Sequence, residues 1–381
     1  MIFTTAVIAD IHFGAVKPAQ LMSELRVEFL SFIKDRYIDM IVIAGDFYNS
    51  VLSLNSQSAL ASFEFMYELL TICEQNKIRY VRIIEGTLSH DNFQIRNFSQ
   101  YEEMDTVNFR IITEACDEVI EGMNILYIPE EYKTNPKSYY KPYFTKPKKY
   151  YDMIFGHGMF KETSFTTELG ENSVSKAPIL DSKLVGSICK GPVFFGHIHT
   201  SQIIRKHIYY VGSFSRWVYG QEEEKGFYLT AYNTDTSEYA VEFVVNHMAK
   251  RYDTLKLFLD NWKKPIEEFI SFVKPYKHDN LRVQIIIEAG ERDYSYEVNF
   301  LKEYYTGKPG YKIEVIDKRE KLKKDQTDEK VNKIFTEYNF LFDKSLPVDV
   351  KISKYIKRKY SEEMSTELIK SLLHLDSTKN K

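Results

Sequence analysis

The segment Phe3-Thr4-Thr5-Ala6-Val7-Ile8-Ala9-Asp10-Ile11-His12 runs from apolar and β-branched residues directly into an acid and an imidazole. Residues 3–9 predict a strand, and Asp10 and His12, two positions apart at its end, are spaced to reach one side. Two further apolar runs, 40–44 and 79–84, lead into Gly45-Asp46 and into Gly86-Thr87-Leu88-Ser89-His90-Asp91. Segments of helical period at 18–35 and 55–76 separate the three runs. Strands that are apolar through most of their length and alternate with helices predict a parallel sheet covered on both faces.

Short apolar runs at 123–128, 152–155, 192–195, 201–205, 208–211, 226–232 and 239–245 make the following part strand-rich. The expected fold class is therefore α/β, a two-sheet α/β sandwich over residues 1–250. Beyond it, a helix-like stretch (255–273), a strand (281–288), a helix (294–305) and a strand (311–317) predict a small α+β capping domain over 251–318. Residues 319–330, REKLKKDQTDEK, contain one apolar residue and read as a solvated linker or a charged helix start. Two amphipathic segments follow, 331–342 and 348–375, so 319–381 is expected to be a linker and a helical tail.

The chain has 381 residues, more than one typical core supports, and an apolar fraction of 44%, ordinary for a soluble protein. With a net charge of −3, any contact with nucleic acid phosphates must rest on locally concentrated Lys and Arg. Residues 133–151, KTNPKSYYKPYFTKPKKYY, are such a concentration, with six Lys, five Tyr and no acid just before Gly156-His157. Lys on phosphates and Tyr on bases would suit a single strand or frayed end; a solvated surface loop is the other reading. The basic run 351–360 reads as the solvated face of a helix. Cys73, Cys116 and Cys189 have no CxxC spacing and predict reduced thiols, not a disulfide framework or a thiolate zinc site. The N-terminal apolar run is too short for a signal peptide or a membrane span, so a cytoplasmic protein with no membrane contact is expected.

Five of the nine histidines fall in clusters at predicted strand ends, Asp10-Ile11-His12, Ser89-His90-Asp91, Gly156-His157 and Gly196-His197-Ile198-His199, joined by Gly45-Asp46. Open α/β sheets place ligand-binding loops there. Singly each cluster reads as a turn; together they form a mixed imidazole and carboxylate set that suits Mn, Fe or Zn. A carboxylate such as Asp46 can bridge two ions, and a metal pair can activate water against a phosphodiester. His90 is left as an imidazole able to hydrogen-bond the phosphate or protonate a leaving alkoxide.

In this ordered set the chain resembles the calcineurin-like metallophosphoesterases, and within them the SbcD-type DNA-repair nucleases, with Tyr210-Val211-Gly212-Ser213 similar to their Y-x-G-S. The resemblance covers residues 7–216. It implies one ion held by Asp10, His12, Asp46 and His199, another by Asp46, His157 and His197, and His90 as the catalytic histidine. It further implies a manganese-dependent DNA exonuclease, with endonuclease action also open, that processes DNA ends beside an SbcC-type coiled-coil ATPase gripped by the helical tail. A homodimer is implied too, with the apolar residues of 51–66 as a candidate surface. Two positions depart from the pattern. The family's G-N-H-D has an Asn ligand where this chain has Gly86-Thr87-Leu88-Ser89-His90-Asp91, leaving Ser89, Thr87 or a water to supply an oxygen. The family's G-D-x-x-D ends in an Asp that orients the catalytic His, where this chain has Asn49. Two alternatives stay open: a phosphatase or cyclic-nucleotide phosphodiesterase on the same metals, and a DNA-end-binding scaffold with impaired catalysis.

Overall fold

The computed structural model describes residues 1–162, 179–261, 267–268, 271, 280–305, 310–319 and 336–373. The three apolar runs form β1 (Ile2–Ile8), β2 (Met40–Ala44) and β3 (Tyr80–Ile84), paired in parallel. The first connection begins with a proline in the first helical turn, where its missing N–H is no loss. It runs as α1 (Pro18–Glu24), a π-helical stretch at Leu25–Leu30 and α2 (Ser31–Lys34). The second is α3 (Gln57–Asn76), capped by Ser56, whose hydroxyl accepts from the Ala59 N–H. β4 (Asn108–Ile112) extends the parallel run, and β13 (Gly226–Asn233) with β14 (Tyr239–Val245) adds an antiparallel edge, giving the order β14-β13-β1-β2-β3-β4.

The second six-stranded sheet comprises β5 (Cys116–Ile120), β6 (Met123–Ile128), β7 (Met153–His157), β10 (Val193–Gly196), β11 (Gln202–Arg205) and β12 (Ile208–Tyr210), in the order β11-β12-β10-β7-β6-β5. The short β8 (Met159–Phe160) and β9 (Ile179–Leu180) pair with each other after β7. Because β6, β7, β10 and β12 run parallel, their C-terminal ends lie along one edge.

Side-chain alternation builds the layers. Ala6, Ile8, Ile41 and Ile43 face a core with Leu25, Phe29, Phe65 and Leu69 of the helices. Their neighbours Phe3, Val7, Met40 and Val42 face the second sheet's Ile125, Tyr127, Met153, Phe155 and Phe194. That sheet's other face, with Leu126, Ile128, Ile154 and Phe195, is covered by Tyr140 of α4 (Pro136–Phe144) and by Val185 and Ile188 of α5 (Ser182–Ile188). The two-sheet α/β sandwich expected from the sequence is thus present, layered helix, sheet, sheet, helix.

Arg82 of β3, a charged residue within an apolar strand, is 1% exposed and ties the sheets together. Its guanidinium donates to Glu118 of β5 at 2.7 and 3.1 Å and to the Asn108 carbonyl at 2.6 Å. Arg110 and the Tyr127 hydroxyl also donate to the Glu118 carboxylate, at 2.7 and 2.6 Å. Burial alone would raise the Glu118 pKa, but these partners, Arg82 first among them, hold it below the usual range.

The sequence patterns missed β4 and β5, short strands within a polar stretch. The helix-like segment at 255–273 is corrected at its start, because Tyr252–Phe258 is a strand followed by a 3-10 turn at Leu259–Asn261. Its β-branched and aromatic residues favour the extended form over the helical period. The segment 348–375 is also not continuous: helices at Val348–Tyr360 and Thr366–Leu372 are separated at Ser361, whose φ is 58°. Of 331–342, the part through Phe335 and the linker at 320–330 lie outside the described residues; Asn339–Leu341 is a 3-10 turn. The tyrosines of 133–151 are largely packing residues. Tyr140 and Tyr151 are buried, Tyr139, Tyr143 and Tyr150 pack against the same core, and Tyr139 and Tyr143 donate their hydroxyls to Glu131 and the Ala115 carbonyl.

The chain divides into two compact units, Met1–Thr254 with Tyr276–Arg282 and Pro309–Tyr311, and Leu255–Pro275 with Val283–Lys308 and Lys312–Lys381. The sandwich belongs to the first. The second has most of the sheet β15 (Tyr252–Phe258), β16 (Asn280–Ile287), β17 (Tyr311–Asp317), the helix Ser295–Tyr305 and the two C-terminal helices. No helix among the described residues is long and apolar enough to cross a membrane.

Arg82→Met is expected to destabilise the sandwich by about 1–3 kcal/mol, since the partly buried Glu118 carboxylate keeps Arg110 and Tyr127 but loses its two-pronged partner. Equilibrium denaturation checks this, and an unchanged midpoint would show that the network contributes specificity and no net stability.

Candidate metal centre

The C-terminal edges of the two parallel strand runs meet at the sequence motifs. Asp10 and His12 leave β1, Asp46 leaves β2, His157 ends β7, and His197 and His199 follow β10. The β1 and β2 loops continue the parallel pairing of their strands: Asp10 N–H donates to the Gly45 carbonyl, His12 N–H to Asp46 and Phe13 N–H to Phe47. Asp10, His12, Asp46 and His197 all have positive φ, from 46° to 93°. Non-glycine residues rarely adopt that region, and its concentration here aims four side chains inward.

Two groups of side chains converge, each with its candidate ligand atoms within 4.8 Å of one another. Asp10, His12, Asp46 and His199 form one, and Asp46, His157 and His197 form the other. These are the sets named from the sequence, with Asp46 in both; His90 is in neither.

The hydrogen bonds select which nitrogen of each ring is available. His157 Nδ1–H donates to the Ala44 carbonyl at 2.9 Å, leaving Nε2 facing Asp46 Oδ1 at 3.2 Å. Such a bond from the far nitrogen fixes tautomer and ring orientation for metal ligation. Gln221 lies 3.1 Å from His199 Nδ1, and the His199 and His12 Nε2 atoms face each other at 3.2 Å. Trp217 covers this pair, its ring 4.6 Å from that of His12 and 4.9 Å from that of His199. Asp10 accepts the His197 backbone N–H at 3.0 Å.

Burial sets the electrostatics. It raises Asp10 to about 7 against the pull of the His157 charge. It pushes His12 well below the usual imidazole range and, with Lys225 beside it, His199 to about 3, keeping both neutral and their lone pairs available. Burial opposes charge on His157 too, but the Asp46 carboxylate overrides it and holds this imidazole well above its usual value, while Asp46 is held low in return. With His12 and His199 neutral, and with the place of the proton on His157 open to a cation of like charge, these imidazoles and buried carboxylates around a common space are a donor set that fits divalent cations.

The turn after β3 is placed by Asp91, whose buried carboxylate accepts from the Tyr48 and Gly86 N–H groups, each at 2.8 Å. Thr87 enters the centre: its N–H donates to Asp46 Oδ1 at 2.6 Å, and its hydroxyl lies 3.4 Å from both His157 Nε2 and His197 Nδ1. Ser89 is exposed. His90 Nδ1–H donates to the backbone carbonyl of Asn49 at 2.6 Å, so the main chain, not the residue 49 side chain, takes this bond. The His90 ring stands edge-on to His12 at 4.9 Å.

Sequence reasoning missed Glu130, Trp217, Gln221 and Lys225. Glu130 is nearly fully buried two residues after β6, with Oε2 2.9 Å from His197 Nδ1 and 3.7 Å from His157 Nε2. The signal was an acid just past a predicted strand on the edge that holds His157. The Tyr210-Val211-Gly212-Ser213 stretch proves to be scaffolding. Tyr210 Oη donates to the Gly158 carbonyl and accepts from the Phe160 N–H, steadying the chain after His157, and the Ser213 N–H donates to the His199 carbonyl.

No protein-family model matches the chain, and no curated protein does. Among solved structures it is similar to a hypothetical protein from Thermus thermophilus at 12% identity and TM-score 0.35, over 64% of this chain and 98% of that one. It is similar to wild-type Vps29 from Entamoeba histolytica complexed with zinc at 12% identity and TM-score 0.26, over 64% and 100%. A third similarity, to glutamine-dependent NAD+ synthetase from Acinetobacter baumannii in complex with ADP, has 10% identity and TM-score 0.32, over 99% and 73%. At such low TM-scores the chemistry has to be judged from the side chains themselves.

Glu85 is 3% exposed beside the centre, accepts the Phe93 N–H at 2.5 Å through Oε1, and has no hydrogen-bond partner for Oε2 among the described residues. Burial raises its pKa from 4.5 to about 7. The folded protein therefore holds this proton more tightly than the unfolded chain, and in chelator-treated protein stability should fall as pH rises from about 4.5 to about 7, then stay reduced. Glu85→Gln is expected to remove up to about 3 kcal/mol of that fall. Melting curves across this window, wild type against variant, check it; parallel profiles would show that Glu85 does not titrate there.

Proposed function

We propose that the chain is a two-metal phosphodiesterase that cuts DNA, a manganese-dependent nuclease processing DNA ends. The observation that carries this reading is the pair of ligand groups sharing Asp46, with His90 beside them and outside both. When bound at such a pair, divalent ions supply polarisation of the phosphoryl oxygens and acidification of a water. The chain's own part is positional. Asp46, Asp10 and the imidazoles hold the pair, Trp217 shields the ligands on one side, and His90 is oriented by the Asn49 carbonyl so that Nε2 is the nitrogen turned from that bond. An imidazole so placed can hydrogen-bond a phosphate oxygen or give a proton to the departing alkoxide.

DNA as substrate is supported by the exposed Lys137, Lys141, Lys148 and Lys149 in the segment that leads into β7 and His157. A homodimer is supported by the exposed Val51, Leu54, Leu60 and Tyr67 around the start and middle of α3. An SbcC-type ATPase as partner rests on the C-terminal helices, where Val348, Leu368, Leu372 and Leu373 are exposed.

Purified protein is expected to degrade end-labelled linear DNA with Mn2+ and not with chelator. His90→Ala should keep its metal content and lose about 100-fold or more of that activity. Loss of an ion from His90→Ala would make His90 a ligand. Hydrolysis of p-nitrophenyl phosphate esters with intact DNA would instead identify a phosphatase, and DNA binding with neither hydrolysis a scaffold.

A further inference from the structure

We infer that Glu130 is a direct ligand of the second metal ion, completing the group of Asp46, His157 and His197. The inference rests on the two-metal reading and assigns the oxygen that the turn after β3 does not supply well. Ser89 is exposed, and Thr87 brings only a neutral hydroxyl, 3.3 Å from both Asp46 Oδ2 and Glu130 Oε2.

Glu130 has the charge, burial and direction that a ligand needs. Its side chain is 1% exposed, and it follows β6, the strand next to β7, so that the parallel register delivers Glu130 and His157 to one edge. Its main chain is fixed by donation of its N–H to the Glu85 carbonyl. The Tyr132 hydroxyl donates to Oε1 at 2.8 Å, which turns Oε2 toward the imidazoles. An outer hydrogen bond of this kind is how ligating carboxylates are held in place.

Three spacings around Glu130 and His157 are close to those of one coordination shell, while Glu130 itself stands outside the group of Asp46, His157 and His197 whose ligand atoms all lie within 4.8 Å of one another. Donors ~2.1 Å from a common ion lie roughly 3.0 Å apart at right angles and roughly 3.4 Å apart at tetrahedral angles. Glu130 Oε2 is 2.9 Å from His197 Nδ1 and 3.7 Å from His157 Nε2, and His157 Nε2 is 3.2 Å from Asp46 Oδ1. The alternative, in which Glu130 only accepts a proton from His197 Nδ1, turns the best-placed nitrogen of His197 away from the ion.

Charge counting gives a physical reason for a carboxylate here. Asp10, Asp46 and Glu130 carry three negative charges, two divalent ions carry four positive ones, and a phosphodiester adds one negative. A carboxylate at Glu130 offsets more of the charge of two divalent ions than a neutral amide there would, whether or not a metal-activated hydroxide adds a further negative charge.

The test is a crystal structure of the Mn2+-loaded full chain with anomalous scattering, together with calorimetric Mn2+ titration of wild type, Glu130→Gln and Glu130→Ala. Two ions per wild-type chain with Glu130 Oε2 within about 2.3 Å of one of them is expected. Weakening of one site by about 10-fold or more is expected in Glu130→Ala, with part of the affinity recovered in Glu130→Gln, whose amide oxygen can still ligate. Unchanged melting of apo Glu130→Gln shows that this variant is folded. Two ions with Glu130 Oε2 beyond about 3 Å from both would overturn this inference and leave the two-metal reading intact. One ion or none in the wild type would overturn both.

Discussion

The carboxylate of Asp46 stands where the ligand-bearing edges of the two sheets converge, and the surrounding fold fixes its two oxygens. Oδ1 accepts the Thr87 N–H from the turn after β3 and faces His157 from the second sheet. Oδ2 faces His12 at 3.8 Å, from the loop after β1. A single side chain therefore joins groups delivered by β1, β3 and β7, and any slip of one sheet on the other would separate them. Arg82 and Glu118, hydrogen-bonded between the same sheets away from this edge, oppose such a slip.

Bringing the loops this close has a conformational cost. Gly45 packs so tightly that a Cβ there would stand 2.2 Å from His157 Nδ1, and one at Gly86 would stand 2.1 Å from the Asp46 nitrogen. Only glycine permits either contact. The ligand residues themselves have no such freedom, and left-handed backbone at Asp10, His12 and Asp46 costs roughly 1–2 kcal/mol each. The paired backbone bonds from Asp10 to Gly45 and from His12 to Asp46 offset part of this, because they continue a parallel ladder whose strands are fixed by the core. A metal ion bound to the aligned side chains would offset more. Rigidity before binding follows, and with it a centre organised by the fold and not by the ion alone.

Much of this was legible in the sequence because strand ends and ligands coincide. The runs at 3–9, 40–44 and 79–84 name the first sheet's centre, and Asp10, His12, Asp46, His157, His197 and His199 follow such runs directly. What was not legible depends on long-range pairing. Glu130 carries no motif, and only the register of β6 with β7 shows that it, and not Glu131, turns toward the imidazoles; Glu131 accepts the Ala115 N–H instead. Residue 49 looked like a changed side chain, yet the bond to His90 uses a main-chain carbonyl that any residue would present. The Tyr-rich segment misled for a related reason, since aromatic rings in a polar stretch look available until the core that takes them is known. The helix-like stretch 255–273 opens on residues that belong to the strand Tyr252–Phe258, because a short run with apolar residues two and three positions apart fits either period.

That placement of the tyrosines bears on how DNA would be held. With Tyr140 and Tyr151 in the core and the Tyr139 and Tyr143 hydroxyls bonded to the protein itself, the segment before β7 has few rings left to stack on bases. Its exposed lysines remain, and lysine on phosphate carries no base information. Contacts of that kind lose strength steeply with salt and are indifferent to sequence. An enzyme acting at DNA ends needs that indifference, since ends arise at any sequence. Selectivity for an end would then have to come from access to the ligand edge, where Trp217 and His90 flank the side chains that would hold the metals.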